Sequence, residues 1–160
     1  HDLGKATTPA DILPRHIGHE ERSVDLTEKL CARLRVPNDC RDLALLMARY
    51  HGNIHRAADL KATTIVTLFE KTDALRRPER FQQLLDACLC DYTGRLGWEN
   101  RPYETPQRLL TALAAANSIA AGKIAADCIE KSHIPERIHM ARVRAVKLML
   151  NDAGDQPQQQ

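Results

Sequence analysis

The sequence predicts an all-helical protein, and three observations carry that expectation. Apolar residues recur at three- and four-residue spacing along most of the 160 residues, the period of a helix with one buried face. Runs that alternate apolar and polar residues are hard to find, and aromatic residues, which strands favour, make up only 4%. Proline and glycine stand where helices begin or stop, as at Pro37, Gly52, Pro78, Pro106 and Pro135.

Each element follows from this pattern. Residues 1–18, punctuated by Gly4, Pro9, Pro14 and Gly18, read as irregular. A first helix is expected over 20–35, with Val24, Thr27, Cys31 and Leu34 on one stripe and Leu26 and Leu30 widening it. Pro37 separates it from a second helix over 38–50, whose inner face is Leu43, Leu46, Met47 and Tyr50. Gly52 is placed to stop that helix. A short turn over 54–60 leads to a third helix, 62–75, carrying Ile65, Val66, Leu68 and Phe69. Pro78 opens a fourth, running to about residue 96, with Phe81, Leu84, Leu85, Cys88, Asp91, Tyr92 and Arg95 on its stripe. Residues 97–104 read as a linker. Thr105-Pro106 caps an alanine-rich helix over 105–127, and Pro135 opens the last helix, 136–150. The tail 151–160 ends in three glutamines and is expected to be disordered. The sequence is rich in histidine before residue 98 and in alanine and basic residues after it, which places a soft domain boundary between 1–97 and 98–150.

Composition narrows the class without naming it. With 43% hydrophobic and 28% charged residues the chain matches an ordinary globular protein, which excludes a wholly disordered or collagen-like one. No run of 18 apolar residues and no basic-then-apolar leader occur, so a soluble, cytoplasmic protein with no membrane partner is expected. The chain begins at His1, without Met, and reads as a piece of something longer. A net charge of +2 allows a nucleic-acid partner without requiring one. The five cysteines are odd in number and scattered, as expected of reduced, buried thiols. No phosphate-binding G-x-x-x-x-G-K-[ST] loop is present.

The chemistry-bearing residues gather in the first part. Five of seven histidines fall within residues 1–55: His1, His16, His19, His51 and His55. Imidazole and carboxylate together suit a divalent cation. His1-Asp2 are adjacent, and consecutive side chains diverge on a helix, so a site using both belongs at an irregular turn; Gly4 agrees. Asp91 lies on an apolar stripe, where an unpaired carboxylate is costly. Either a metal ion or an ion pair with Arg95, one turn on, resolves that cost.

His1-Asp2-Leu3-Gly4-Lys5 resembles the central motif of the HD superfamily of metal-dependent phosphohydrolases, and Ile17-Gly18-His19-Glu20 resembles that superfamily's Gly-His-Glu segment. More closely, the stretches HDLGKATTPADILPRHIGHE, LRVPNDCRDLALL, TIVTLFEKTDALRRPERF and CDYTGRLGWE resemble the C-terminal part of bacterial CCA-adding enzymes of the gamma-proteobacterial type, which are multifunctional tRNA nucleotidyltransferases. The resemblance implies an HD-superfamily helical domain over 1–97 followed by a helical tRNA-binding tail. It implies hydrolysis of phosphate esters: 2′,3′-cyclic nucleotides, 2′-nucleotides and simple phosphomonoesters. It implies nickel for hydrolysis, magnesium for nucleotide addition, and a nucleotidyltransferase head and one further metal-binding histidine upstream. His1, Asp2 and Asp91 carry over as metal ligands, with His19 and His51 as second-metal or phosphate contacts. Relatives can carry an acidic residue after the histidine matching His51; here Gly52 follows.

A bound divalent ion lowers the pKa of its water towards neutrality, and imidazole titrates near neutral pH, so His19 or His51 is expected to protonate a leaving oxygen. Lys5 reads either as positive charge beside the phosphate or as a solvated loop lysine, and Arg95 as a partner of either that phosphate or Asp91. Further on, Arg137, Arg142, Arg144 and Lys147 form a basic group read as a solvated face or, with the resemblance, as contacts to tRNA phosphates. A non-catalytic helical tRNA-binding body is the alternative reading. A stand-alone hydrolase of free nucleotides is the third. A monomer and a homodimer are both compatible with the alanine-rich helix.

Overall fold

The computed structural model describes residues 1–154, and every regular element among them is helical. They are α1 (His19–Leu34), α2 (Asn38–His55), α3 (Ala62–Lys71), α4 (Pro78–Thr93), α5 (Thr105–Asn117), α6 (Ala121–Ala126) and α7 (Ile134–Gly154), with short 3-10 turns at Leu3–Thr7, Ala57–Asp59 and Lys131–His133. The expected all-α class holds. The expected tail at 151–160 does not hold as drawn: α7 continues through Gly154, and the remainder lies outside the described residues.

The chain forms two compact units that interleave along the sequence. One comprises His1–Arg56 with Gln82–Tyr103. The other comprises Ala57–Phe81 with the described part of Glu104–Gln160. The edges fall at 56/57, 81/82 and 103/104, where a single boundary near residue 98 was expected, and at 81/82 α4 gives its first turn to one unit and the rest to the other.

In the first unit, α1 packs on α2 and on the 3-10 turn that follows His1-Asp2. Its buried stripe is Ser23, Thr27 and Cys31, four residues apart, while the expected Leu34 is 61% exposed. α1 ends where Arg35 turns left-handed (φ 53°) and Val36 N–H donates to Cys31 O at 3.0 Å, just ahead of Pro37. α2 corrects the sequence reading. Gly52 does not stop it; the helix runs on to His55, and Met47, Ala48, His51 and Ile54 are its buried face. Glycine costs about 1 kcal/mol inside a helix but ends one only when it turns left-handed, and Gly52 does not. Its missing side chain makes room instead: a Cβ there would lie 3.3 Å from Glu20 Oε1. Leu84, Leu85 and Cys88 of α4 are buried, with Cys88 Sγ 3.5 Å from Met47 Sδ.

In the second unit, α3 and α5 pack against α7 and each other. Phe69 meets Phe81 edge-to-face at 5.5 Å, and Leu109, Ala112, Ala116 and Val146 are fully buried. Two helices end earlier than expected. α3 stops at Lys71 because Asp73 turns left-handed (φ 57°) and Ala74 N–H closes on Phe69 O. The helix expected over 105–127 breaks after Asn117, where Ser118 Oγ donates back to Ala115 O, and resumes as α6. All five cysteines are free. Cys31 and Cys88 are buried as expected, but Cys40 and Cys90 are exposed.

Candidate metal centre

The site lies in the first unit and begins with how His1-Asp2 is seated. Asp2 precedes the 3-10 turn, and Lys5 N–H donates to Asp2 O at 3.0 Å. Gly4 then presses on the start of α1. Its N–H donates to Ser23 Oγ at 2.9 Å, and Arg22 Nε donates to Gly4 O at 3.1 Å. A Cβ on Gly4 would lie 2.2 Å from His19 O, so only glycine permits this approach. Left-handed His16 and Gly18 (φ 51° and 72°) set up the first turn of α1 and deliver His19 at its first position. His51 and His55 stand one turn apart on α2, and Asp91 faces them from α4.

Hydrogen bonds fix the histidine tautomers. His51 Nδ1 lies 3.0 Å from Met47 O, and His19 Nδ1 lies 3.1 Å from His16 O. A carbonyl only accepts, so each Nδ1 carries the hydrogen and each Nε2 presents a lone pair. Those two Nε2 atoms are 3.4 Å apart, and Asp2 Oδ1 is 3.3 Å from one and 3.5 Å from the other. Asp2 Oδ1 is buried and has no hydrogen-bond donor. Three lone-pair atoms therefore face one another across a nearly equilateral triangle. Such a triangle is stable only with a cation among them, either a proton on one ring or a metal ion. Its edges suit either one: they are within hydrogen-bonding range, and donors at about 2.1 Å from a tetrahedral ion sit about 3.4 Å apart.

Further donors converge on the same place. His1 Nε2 is 3.4 Å from Asp2 Oδ2 and 3.6 Å from Asp91 Oδ1, and its ring packs edge-on against His51. His1, Asp2 and His51 offer ligand atoms within 4.8 Å of one another. Burial pulls the Asp2 carboxyl upward. Lys5, by hydrogen bond and charge, together with His51 and His19, outweighs that and holds it below the usual carboxylate range. Burial also pushes the His51 imidazole below its ordinary value. The bond to Met47 O and the Asp2 charge offset only part of this, and His19 and His55 add to the downward push. Both groups are thus kept in the forms that bind cations, carboxylate and neutral imidazole. The donor set fits a divalent transition metal.

Three relatives show what the chain as a whole is similar to. The chain is 80% identical over all 160 residues to the multifunctional CCA protein of Dechloromonas aromatica. It is 58% identical over 147 residues to that of Burkholderia lata and 57% over 154 residues to that of Paraburkholderia phymatum. Over its full length the chain is similar to the C-terminal part of the multifunctional CCA proteins. It spans 39%, 36% and 37% of the lengths of these three relatives and 100%, 91% and 96% of its own length is matched. No protein-family model matches the chain, and no solved structure does.

Among the side chains that the resemblance to CCA proteins implicates, His1, Asp2, His19, His51 and Asp91 come together as described. Lys5 points at Asp2 rather than outward, with Nζ 2.6 Å from Oδ2. Of the two readings the sequence left open for Asp91, the ion pair with Arg95 is present, with Oδ2 at 3.2 Å, while its Oδ1 faces His1 at 3.6 Å. The sequence missed His55 and Tyr103. His55 Nε2 is 2.7 Å from Asp91 Oδ2, and its Nδ1 is 2.9 Å from Tyr103 Oη. A helix stop at Gly52 hid His55, since the i, i+4 relation to His51 exists only in a continuous helix.

In the second unit, Arg137, Arg144 and Lys147 are exposed along α7. Arg137 and Arg144 line a groove of about 390 Å³ with Ile124, Glu136, Met140 and Ala141. Arg142 departs from them. It is half-buried, its Nε has no partner, and it lines a cavity with Glu70, Asp73 and Arg76. Among the described residues, no helix is long and apolar enough to cross a membrane.

Proposed function

We propose that this chain is a divalent-metal-dependent phosphohydrolase domain of a CCA-adding tRNA nucleotidyltransferase. Its substrates are phosphate esters of the 2′,3′-cyclic nucleotide, 2′-nucleotide and phosphomonoester kind, and its macromolecular partner is tRNA. The observation that supports this reading is the convergence of His1, Asp2 and His51, whose ligand atoms lie within 4.8 Å of one another around the buried Asp2 Oδ1, an acceptor with no donor. Similarity to multifunctional CCA proteins supports the tRNA context.

His1, Asp2, His51 and Asp91 are the residues that would hold the ion. When bound, it supplies an activated water and neutralises phosphoryl charge. Nickel is the proposed ion for hydrolysis, and magnesium for nucleotide addition. Each of His19 and His51 has only one uncommitted ring nitrogen, so one ring cannot both hold a cation and deliver a proton. His51, buried and kept neutral, is the ligand. His19, closer to the surface, meets the phosphate and, in the form that has taken up a proton on Nε2, passes that proton to the leaving oxygen. Lys5 keeps Asp2 ionised. Arg95, half-exposed beside Asp91, is placed to meet a phosphoryl oxygen. On α7, Arg137, Arg144 and Lys147 make salt-sensitive contacts to tRNA phosphates.

The test is hydrolysis of 2′,3′-cyclic AMP by the natural full-length protein with EDTA, Mg²⁺, Mn²⁺ or Ni²⁺. Metal-dependent turnover lost in Asp2→Ala is expected. No turnover with any ion from folded protein refutes the phosphohydrolase and leaves a non-catalytic tRNA-binding body.

A further inference from the structure

We infer that His55 and Tyr103 are positioning residues of the metal centre: bonded in series, they commit one oxygen of Asp91 and so aim the other at His1. The inference builds on the metal-dependent reading for its consequence, although the hydrogen-bond chain itself stands on geometry alone.

A carboxylate donates nothing, so the hydrogen in the 2.7 Å contact belongs to His55 Nε2. In the neutral ring Nδ1 then holds a lone pair, and Tyr103 O–H donates to it across 2.9 Å. The tyrosine is itself held. Its ring stacks on Tyr92 of α4 at 4.3 Å with 16° between planes, and Tyr92 Oη donates to Pro102 O at 3.3 Å. Trp98 meets the other partner, Tyr92, edge-on at 4.8 Å, and the Arg101 guanidinium lies over Trp98 at 4.5 Å. The segment after α4, which reads as a plain linker, thus folds back and returns one hydroxyl to the last turn of α2.

The consequence is directional. Asp91 Oδ2 accepts from both His55 and Arg95. Rotation of the carboxylate would break both bonds, so Oδ1 keeps its lone pairs towards His1 Nε2, 3.6 Å away. His55 is not a ligand here, because its Nε2 is already spent. Outer partners of this kind set ligand direction and basicity, and losing one costs about 10–100-fold in metal affinity.

The test compares the natural full-length protein with Tyr103→Phe, His55→Leu and His55→Gln. Mn²⁺ affinity is measured by calorimetry, and the histidine ¹⁵N spectrum is recorded without metal. Expected are a 10–100-fold weaker Mn²⁺ affinity in His55→Leu, a several-fold loss in Tyr103→Phe, and partial recovery in His55→Gln, which keeps an N–H for Asp91. The metal-free wild type should carry its His55 proton on Nε2. Folded His55→Leu with Mn²⁺ affinity within twofold of wild type overturns the inference, as does a wild-type His55 unprotonated at Nε2. Should His55→Leu fail to fold, Tyr103→Phe, which keeps the ring stack, decides by the same titration. If wild type takes up no divalent ion at all, the proposed function fails, while the histidine spectrum still decides the hydrogen-bond chain.

Discussion

Replacing Gly4 by alanine tests how the His1-Asp2 segment is seated. The added Cβ would fall 2.2 Å from His19 O, 2.6 Å from Ser23 N and 2.9 Å from Arg22 Cβ. Two of these neighbours are backbone, so no rotamer change relieves the clash. Ordinary contact begins at 3.4 Å, and the turn must therefore lift from α1 by about 1.2 Å. That movement stretches the 2.9 Å bond from Gly4 N–H to Ser23 Oγ beyond hydrogen-bonding range. A buried donor left unpaired costs about 1–3 kcal/mol, and overpacking costs about 1–3 kcal/mol more. Together they predict a loss of about 2–6 kcal/mol in a urea or guanidinium titration. Asp2, two residues away, moves with the turn, so its Oδ1 leaves the triangle and Mn²⁺ affinity measured by calorimetry falls at least tenfold. A variant within 0.5 kcal/mol of wild type, with Mn²⁺ affinity unchanged, would refute this account of the seating.

Other expectations follow from the same geometry. Ser23→Ala keeps the turn but removes the acceptor for Gly4 N–H, and should cost about 1–2 kcal/mol by denaturant titration. The folded His51 imidazole titrates below its ordinary 6.5, so the unfolded chain binds the proton first as pH falls. Its contribution to stability is complete above 6.5 and lost on acidification through the lower folded value; melting curves without metal, compared with His51→Gln, should show the difference. Burial raises the Cys88 thiol to about 12, with the Asp91 charge adding to the effect. At pH 8 a thiol reagent should modify the exposed Cys40 and Cys90 quickly, and reach Cys88 and Cys31 only after denaturation. On α7, Arg144→Glu should weaken tRNA binding and flatten its salt dependence, whereas Arg142→Gln, at a half-buried position, should act mainly through stability.

The helical class was legible because period and punctuation agree along the chain, and Pro78 does open α4 where it was expected. The gathering of the candidate residues was legible too: His1-Asp2 at an irregular turn, His19 at a helix start and Asp91 on an inward stripe meet in space. What escaped depends on tertiary context. Whether Gly52 stops a helix is decided by its backbone angle and by Glu20 beside it, neither of which a single sequence displays. That one misplaced stop concealed His55. Tyr103 lies in a stretch with no periodicity, and only the ring stack on Tyr92 shows where its hydroxyl goes. Arg142 shares a helix with exposed basic residues, and its inward turn depends on a cavity edged by residues from α3 and the turn after it. The interleaved units are invisible to composition, which sees a chain only in order.

That interleaving has a consequence during synthesis on the ribosome. Residues 1–56 and 82–103, the unit that carries the histidine cluster, are all out once Tyr103 has emerged. At that moment residues 57–81 form a tethered loop whose Ile65, Val66 and Phe69, on α3, await partners in α5 and α7. About 50 residues remain before α7 is finished. At ribosomal rates of roughly 5–20 residues per second, the nascent chain shows that sticky surface for about 3–10 s. The histidine cluster can therefore be assembled while the second unit still exposes apolar surface that chaperones recognise.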